Sequence, residues 1–285
     1  MKFRTEIDIK PYPFRITRHD RILLIGSCFS DHIGNFFSES GFTVMSNPFG
    51  VLFNPYSIET GLRLGMDIAG FTDSFIHYHD NRWISFAHHG RFSHSDKDVF
   101  MENIRSQLAA TNRFLQEADY IFITFGTAYY YRFSERNIVV SNCHKIPADE
   151  FKKERMEIPE IVTLYRDLIE RIAQGNPKVK FIFTVSPVRH LGDGFHENLL
   201  SKSILHLAID QLANNCSCFY FPSYEILMDD LRDYRFYAKD LCHPGEQAID
   251  YIREKVKSSF FSDETRKEVK LFEKENKRKG HIPLR

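Results

Sequence analysis

The sequence predicts a three-layer α/β/α sandwich around a five-stranded parallel sheet. Five short apolar runs, RILLIG, FTVMS, YIFITFG, VKFIFTVS and CFYFP, are spread along the 285 residues. They are mostly unbroken rather than alternating, as strands covered on both faces must be. Helical patterns at 30–40, 56–66, 97–118, 157–174 and 195–214 separate them, and one at 244–260 follows the last. Strands that alternate with helices in this way build a doubly wound sheet.

Each element has its own local signal. RILLIG ends at Gly26; Ser27 and Cys28 then open a helix that Gly41 stops. FTVMS is followed by the loop NPFGVLFN, residues 47–54. Residues 67–95 break the alternation with five histidines and the only tryptophan, Trp83. YIFITFG ends at Gly126 and Thr127, and a tyrosine-rich hairpin or loop over 129–147 follows as a second insertion. Both insertions are expected to form walls of a site, because loops on that side of such sheets carry function. GNP at 175–177 closes the fourth helix, and VKFIFTVS leads to Ser186, Arg189 and His190. After CFYFP comes AKDLCHPGEQAIDYI, whose helix is expected to start at Pro244. From 262 onward the chain is almost entirely charged, so residues 1–261 read as one domain and 262–285 as a solvated helix or frayed tail.

Composition narrows the function classes. The formal net charge is zero, which leaves no electrostatic footprint for nucleic acid or an anionic membrane. No segment approaches the ~18 consecutive apolar residues of a membrane span. MKFRTEIDIKPYPFRITRHD has no apolar core, so it does not read as a signal peptide. The five cysteines include no C-x-x-C or zinc-ribbon spacing, and Cys216 and Cys218 are expected as buried strand residues of a reduced, cytoplasmic protein. No G-x-G-x-x-G or Walker loop is present, so no cofactor is expected. Nothing specifies an oligomeric state.

The chemical residues fall at strand ends, where open parallel sheets bind ligands. Asp240 and His243 form D-x-x-H just before a helix. A loop of that length turns the carboxylate onto one ring nitrogen and frees the other as a base; a plain N-terminal cap is the structural alternative. Ser27 and Cys28 are adjacent candidate nucleophiles. Arg189 and His190 suit a substrate carboxylate or phosphate, or else an ion pair with an acidic loop residue. His77 and His79 form H-x-H, but without a carboxylate or thiolate at ligand spacing no metal site is expected. Trp83 and His88 are expected in a wall for a sugar or acyl group.

LIGSCFS, NPFGVLFNP, ITFGTA, TVSPVRH and YFPSYEILMDDLRDYRFYAKDLCHP, in that order from about residue 20 to about residue 260, resemble the GSCFA domain family, a distant relative of the SGNH (GDSL-like) hydrolases. The resemblance implies a flavodoxin-like, SGNH-type sheet. It also implies an esterase or acyltransferase that works through an acyl-enzyme, with a small-molecule or carbohydrate O-acyl ester as substrate. Placing the first block, Gly-Asp-Ser, on Gly26 puts Cys28 at the nucleophile position; a one-residue shift puts Ser27 there. A helix N-terminus is expected to lower the thiol's pKa, with His243 as base and Asp240 as its orienting acid. Gly50 matches the glycine of the second block, whose N–H stabilises the oxyanion. In the third block Gly126 and Thr127 stand before Ala128, where the relatives have asparagine. Asn54 or Thr127 is expected to replace that donor, whose loss typically lowers rates ~10²–10³-fold. The alternative reading, which Ala128 favours, is a non-catalytic ligand-binding protein that keeps the fold.

Overall fold

The computed structural model describes residues 5–214 and 218–280. The chain runs β1 (Arg21–Gly26), α1 (Cys28–Glu39), β2 (Thr43–Ser46), α2 (Pro55–Met66), β3 (Ile76–His79), β4 (Arg82–Ser85), α3 (Lys97–Glu117), β5 (Tyr120–Phe125), β6 (Tyr129–Phe133) and β7 (Ile138–Val140). It continues through β8 (Phe151–Arg155), α4 (Ile158–Gly175), β9 (Lys180–Val185), α5 (Phe195–Ala213) and β10 (Cys218–Tyr220). A short α6 (Ser223–Glu225) passes into a π-helical turn (Ile226–Leu231), and α7 (Glu246–Phe260) and α8 (Asp263–Gly280) finish the chain.

The five expected strands form one parallel sheet in the order β10-β9-β5-β1-β2. Counting only those strands from the β2 edge, this is 2-1-3-4-5, the flavodoxin-like order. Its strands are apolar without interruption because both faces are covered. Leu23, Ile25, Ile121, Ile123, Phe181 and Phe183 join the core under α2 to α5, while Ile22, Leu24, Phe122 and Ile182 face α1 and α7. The period of two sends successive residues to opposite layers. The chain leaves β1 for β2 on one side and later returns to β5 on the other, so a switch point opens beyond Gly26.

Two boundaries differ from the sequence reading. The second insertion extends to Arg155, because β6, β7 and β8 make a three-stranded antiparallel sheet of their own. The charged C-terminal segment is a helix that docks: Val269 is buried in the cluster of Phe36, Phe37, Phe42 and Phe261, and Arg18 stacks 4.5 Å over the Phe272 ring. Over its described residues this segment is thus neither frayed nor solvated on every side; two apolar side chains three residues apart suffice to seat a helix whose composition reads as solvated. The first insertion holds the β3–β4 hairpin, turned by Asp80 and Asn81 with φ of +48° and +57°, a type I′ turn. Cys218 is buried in β10; Cys216 lies outside the described residues. Among the described residues no helix is long and apolar enough to cross a membrane.

Gly26 fixes the end of β1. Its φ is +141°, and a Cβ there would lie 2.2 Å from the Thr124 carbonyl oxygen of β5. Backbone strain and a clash with backbone then add, so Gly26→Ala is expected to lose roughly 2–5 kcal/mol of stability. Urea unfolding of the variant measures it, and a loss below 1 kcal/mol contradicts this account.

Candidate active site

The corner after β1 separates the two candidate nucleophiles. Ser27 is the N-cap of α1 and fully buried; its Oγ accepts from Phe29 N at 3.3 Å and donates to Ser186 Oγ at 3.0 Å. The hydroxyl caps the helix and is tied to a second strand end. Cys28 is the first helical residue and is partly exposed. Its N–H belongs to the first turn of α1 and lies close enough to its own sulfur to favour the thiolate. Asn47 braces the corner from the next loop. Its Oδ1 accepts from Gly26 N at 2.9 Å, and its Nδ2 donates to Asp31 Oδ1 at 2.7 Å.

Burial raises the Cys28 pKa above the ordinary thiol value, and the Asp31 charge adds to that. The first-turn N–H groups of Cys28 and Phe29, and the Lys202 ammonium, pull the other way without reversing it. The expected lowering by the helix terminus is thus present but outweighed by desolvation.

Asp240 and His243 are joined. His243 Nδ1 lies 2.6 Å from Asp240 Oδ2, while Asp240 Oδ1 accepts from the N–H groups of His243 and Cys242, both at 3.0 Å. These two backbone donors, and then the imidazole, hold the Asp240 carboxyl well below the usual carboxylate range. An anionic partner at Nδ1 places a proton there and leaves Nε2 as the ring nitrogen the carboxylate does not hold. The loop is a knot of turn bonds, Ala238 N to His243 O at 2.8 Å and Leu241 N to Ala238 O at 2.9 Å, with Leu241 at φ +57°. Such a backbone value in a non-glycine residue stores strain that the surroundings must hold. Among the described residues no hydrogen bond joins His243 to Cys28 Sγ. His243 lies near enough to disfavour protonation of His32, one turn beyond Cys28 on α1, and of His190.

Lys202 completes the group and was not singled out in the sequence. It is buried under the ends of β5 and β9, where Nζ donates to Gly126 O at 2.7 Å and Ser186 O at 2.8 Å. Burial pushes its pKa down to about 7, and Cys28 is the charge partner that opposes this. A signal existed: Asn198, Ser201, Lys202, Leu205, Ile209 and Leu212 form one helical stripe, so the lysine sits on the inward face of α5.

The expected oxyanion donors are mostly engaged. Gly50 N donates to Asn47 O at 2.8 Å; with φ +81° and a virtual Cβ 2.1 Å from His89 Cβ, this is a turn glycine rather than an open donor. Gly126 N and Thr127 N both donate to Phe53 O, at 2.8 and 3.0 Å, and Thr127 Oγ1 pairs with Ser201 Oγ at 3.1 Å. Asn54 differs. As N-cap of α2 its Oδ1 accepts from Ser57 N at 2.9 Å, which fixes the amide and leaves Nδ2 as donor. Asn54, Thr127 and His190 border a cavity of about 380 Å³ whose other wall includes Tyr129, Tyr131 and Lys153. Cys28 and His243 are not among its lining residues.

A family model matches residues 21–256, and it is that of the GSCFA family. The chain belongs to the GSCFA family. Among solved structures, this GSCFA chain is similar to a carbohydrate esterase of family 3 from Talaromyces cellulolyticus, at 9% identity and a TM-score of 0.38, covering 90% of this chain and 99% of that one. It is also similar to an acetyl xylan esterase from the rumen bacterium Butyrivibrio proteoclasticus, at 10% identity and 0.40, covering 88% and 66%. No curated protein matches it in sequence.

Three further residues of the GSCFA chain take places other than those expected. Trp83 packs on Tyr78 with ring centroids 5.0 Å apart and under the Lys97 ammonium, away from the cavity. His88 is buried against Phe49, Phe71 and Phe92, and its Nδ1 meets Ser85 Oγ at 2.8 Å. The first insertion therefore supports the 47–53 loop from behind, with His89 N donating to Phe49 O and Arg91 to Asn47 O, while the β6–β8 sheet supplies the cavity wall. Among the described residues Arg189 forms no ion pair with an acidic side chain. Its N and Nη1 donate to the carbonyls of Cys242 and Leu241, and its guanidinium lies over the rings of Phe195, Tyr237 and Tyr234, so it clamps the Asp240–His243 loop. His190 does border the cavity. Its Nε2 is buried and has no hydrogen-bond partner among the described residues, and burial lowers its pKa to about 4.

Burial also pushes His88 down to about 3, far below the value of an unfolded chain. The unfolded state takes up that proton near pH 6.5 and the folded state does not, so this contribution is complete above pH 6.5 and falls away as pH drops towards 3. Stability is expected to fall by up to about 1.4 kcal/mol per pH unit on this account. His88→Gln is expected to flatten the slope of urea-unfolding stability between pH 6.5 and 5; an unchanged slope contradicts the assignment.

Proposed function

We propose that this GSCFA protein cleaves or transfers an O-acyl ester, a carbohydrate acetyl ester foremost, through a thioester on Cys28. The observation that carries the reading is the Asp240–His243 pair, an imidazole with one nitrogen held by an anionic carboxylate and the other left as a base. It stands on the same sheet edge as a partly exposed thiol at a helix start. His243 Nε2 takes the Cys28 proton, and the sulfur attacks the ester carbonyl carbon. The negative charge moves to the carbonyl oxygen, for which we assign Asn54 Nδ2, an amide fixed by its cap bond, as the donor. Collapse forms the thioester and breaks the carbon–oxygen bond, and the imidazolium protonates the departing alkoxide. His243 then deprotonates water or a second hydroxyl, which attacks the thioester and returns the thiol with its proton. Proton transfer needs His243 to close on Cys28. Half-exposed side chains, 49% for His243 and 50% for Asp240, leave room for that approach.

The second reading, a ligand-binding protein without turnover, draws on the engaged N–H of Gly50, the alanine at 128 and the raised Cys28 pKa. One set of measurements separates the two. On aryl acetates and acetylated xylo-oligosaccharides, Cys28→Ala is expected to abolish turnover, and an acyl adduct on Cys28 is expected by mass spectrometry. An inert pocket instead labels at Cys28 no faster than at Cys143, whose thiol burial raises to about 11. Ser27→Ala is expected to keep the chemistry and lose about 1 kcal/mol of stability with the cap. Asn54→Asp keeps the cap oxygen and removes the amide donor, so kcat is expected to drop ~10²–10³-fold. Full activity in Cys28→Ala ends the nucleophile assignment.

A further inference from the structure

Lys202 is a buried cation without an anion. Its Nζ satisfies two protein carbonyls, Gly126 O and Ser186 O, and among the described residues no carboxylate lies within ion-pair distance of it. An ammonium removed from water in this way is costly unless a counter-charge accompanies it. The groups that face it come from each element around it. His190, beyond β9, and His206, on α5 itself, have their protonated forms disfavoured by it. Tyr224 of α6 presents its ring 5.6 Å away, and burial raises the phenol's pKa, so it stays neutral. Cys28 of α1 is the remaining one, and the interaction is mutual: each group favours the charged form of the other. Asp31 lies beside Cys28, but its carboxylate is tied to Asn47 Nδ2 and opposes the thiolate rather than serving the ammonium.

The backbone explains the juxtaposition. Ser186 O accepts from Lys202, and the hydroxyl of the same Ser186 accepts from Ser27, the cap residue next to Cys28. Gly126, the other acceptor, follows β5, whose Thr124 carbonyl meets Ser27 N at 3.3 Å. Lys202 is thereby fastened to the ends of β5, next to the corner, and of β9, whose Ser186 hydroxyl meets Ser27.

We propose that Lys202 is a positioning residue whose buried ammonium is the counter-charge of the Cys28 thiolate, so that the charged form of each group favours the charged form of the other. No bond to carbon forms or breaks in this step: the Sγ proton passes to His243 Nε2 or to water, Lys202 keeps its own protons, and the negative charge remains on sulfur near the cation. The inference deepens the reading of Cys28 as nucleophile and rests on it for its catalytic meaning. It is tested without any ester, so the two stand or fall separately.

The test is the pH profile of Cys28 alkylation by iodoacetamide, followed by mass spectrometry of the Cys28 peptide in the full chain. In Lys202→Met the apparent thiol pKa is expected to rise by about one unit, making alkylation at pH 7 about tenfold slower. A profile that superimposes on that of the parent protein overturns the proposal and leaves Lys202 as a tie between two carbonyls. The methionine leaves Gly126 O and Ser186 O without their donor, so a reciprocal measurement keeps the lysine in place. In Cys28→Ala the Lys202 ammonium, followed by lysine side-chain NMR, is expected to lose its proton at lower pH than in the parent. An unmoved Lys202 titration overturns the proposal even where Lys202→Met does not fold.

Discussion

The close approach of β1 and β5 at Gly26 is the constraint on which the rest of this protein depends. The Thr124 carbonyl lies where a Cβ of residue 26 would be, so the chain can turn there only as glycine. That turn starts α1 with Ser27 as its cap and Cys28 as its first residue, against the ends of the two central strands. Asn47 then ties the next loop to the same corner through Gly26 N, so the corner and the 47–54 loop form one unit. The functional edge is a consequence of backbone packing first and of side-chain chemistry second.

The electrostatics of that edge are a contest between burial and preorganised charge. Desolvation drives Cys28 towards the thiol and Lys202 towards the amine, each by the same removal from water. First-turn N–H groups and the mutual attraction of the pair act in the opposite sense. Asp240 has no such conflict: exposed and held by two backbone donors, its carboxylate remains ionised and can orient His243 across the neutral range. In the reaction we propose, an unconflicted acid holds the base for a conflicted thiol, so closure of the loop has large leverage over ionisation.

The two insertions divide the labour differently from what their composition implies. Histidines and a tryptophan at 77–94 look like binding chemistry, but His88 and His89 hold the NPFG turn in place and Trp83 packs on its own hairpin. The β6–β8 sheet, tyrosine-rich and less conspicuous, forms the cavity wall beside Asn54 and His190. Arg189 likewise packs on three rings and donates to two carbonyls of the His243 loop.

The alternation of apolar runs and helical stripes determined the architecture by itself, because strands buried on both faces and helices buried on one leave periodic marks that do not depend on distant residues. The hairpin sheet of 129–155 and the docking of α8 left weaker marks, since short strands and two or three inward side chains scarcely disturb a polar composition. D-x-x-H was legible as a pair, for its geometry is local to four residues. Which hydroxyl or thiol is open, which N–H groups are already engaged and what lies under the corner were decided only in three dimensions. Ser27 is closed by Ser186, 159 residues away, Gly126 N by Phe53, and Lys202 reaches two strand ends from a helix that follows them. Hydrogen-bond saturation and desolvation depend on neighbours from remote parts of the chain, and no local pattern records them.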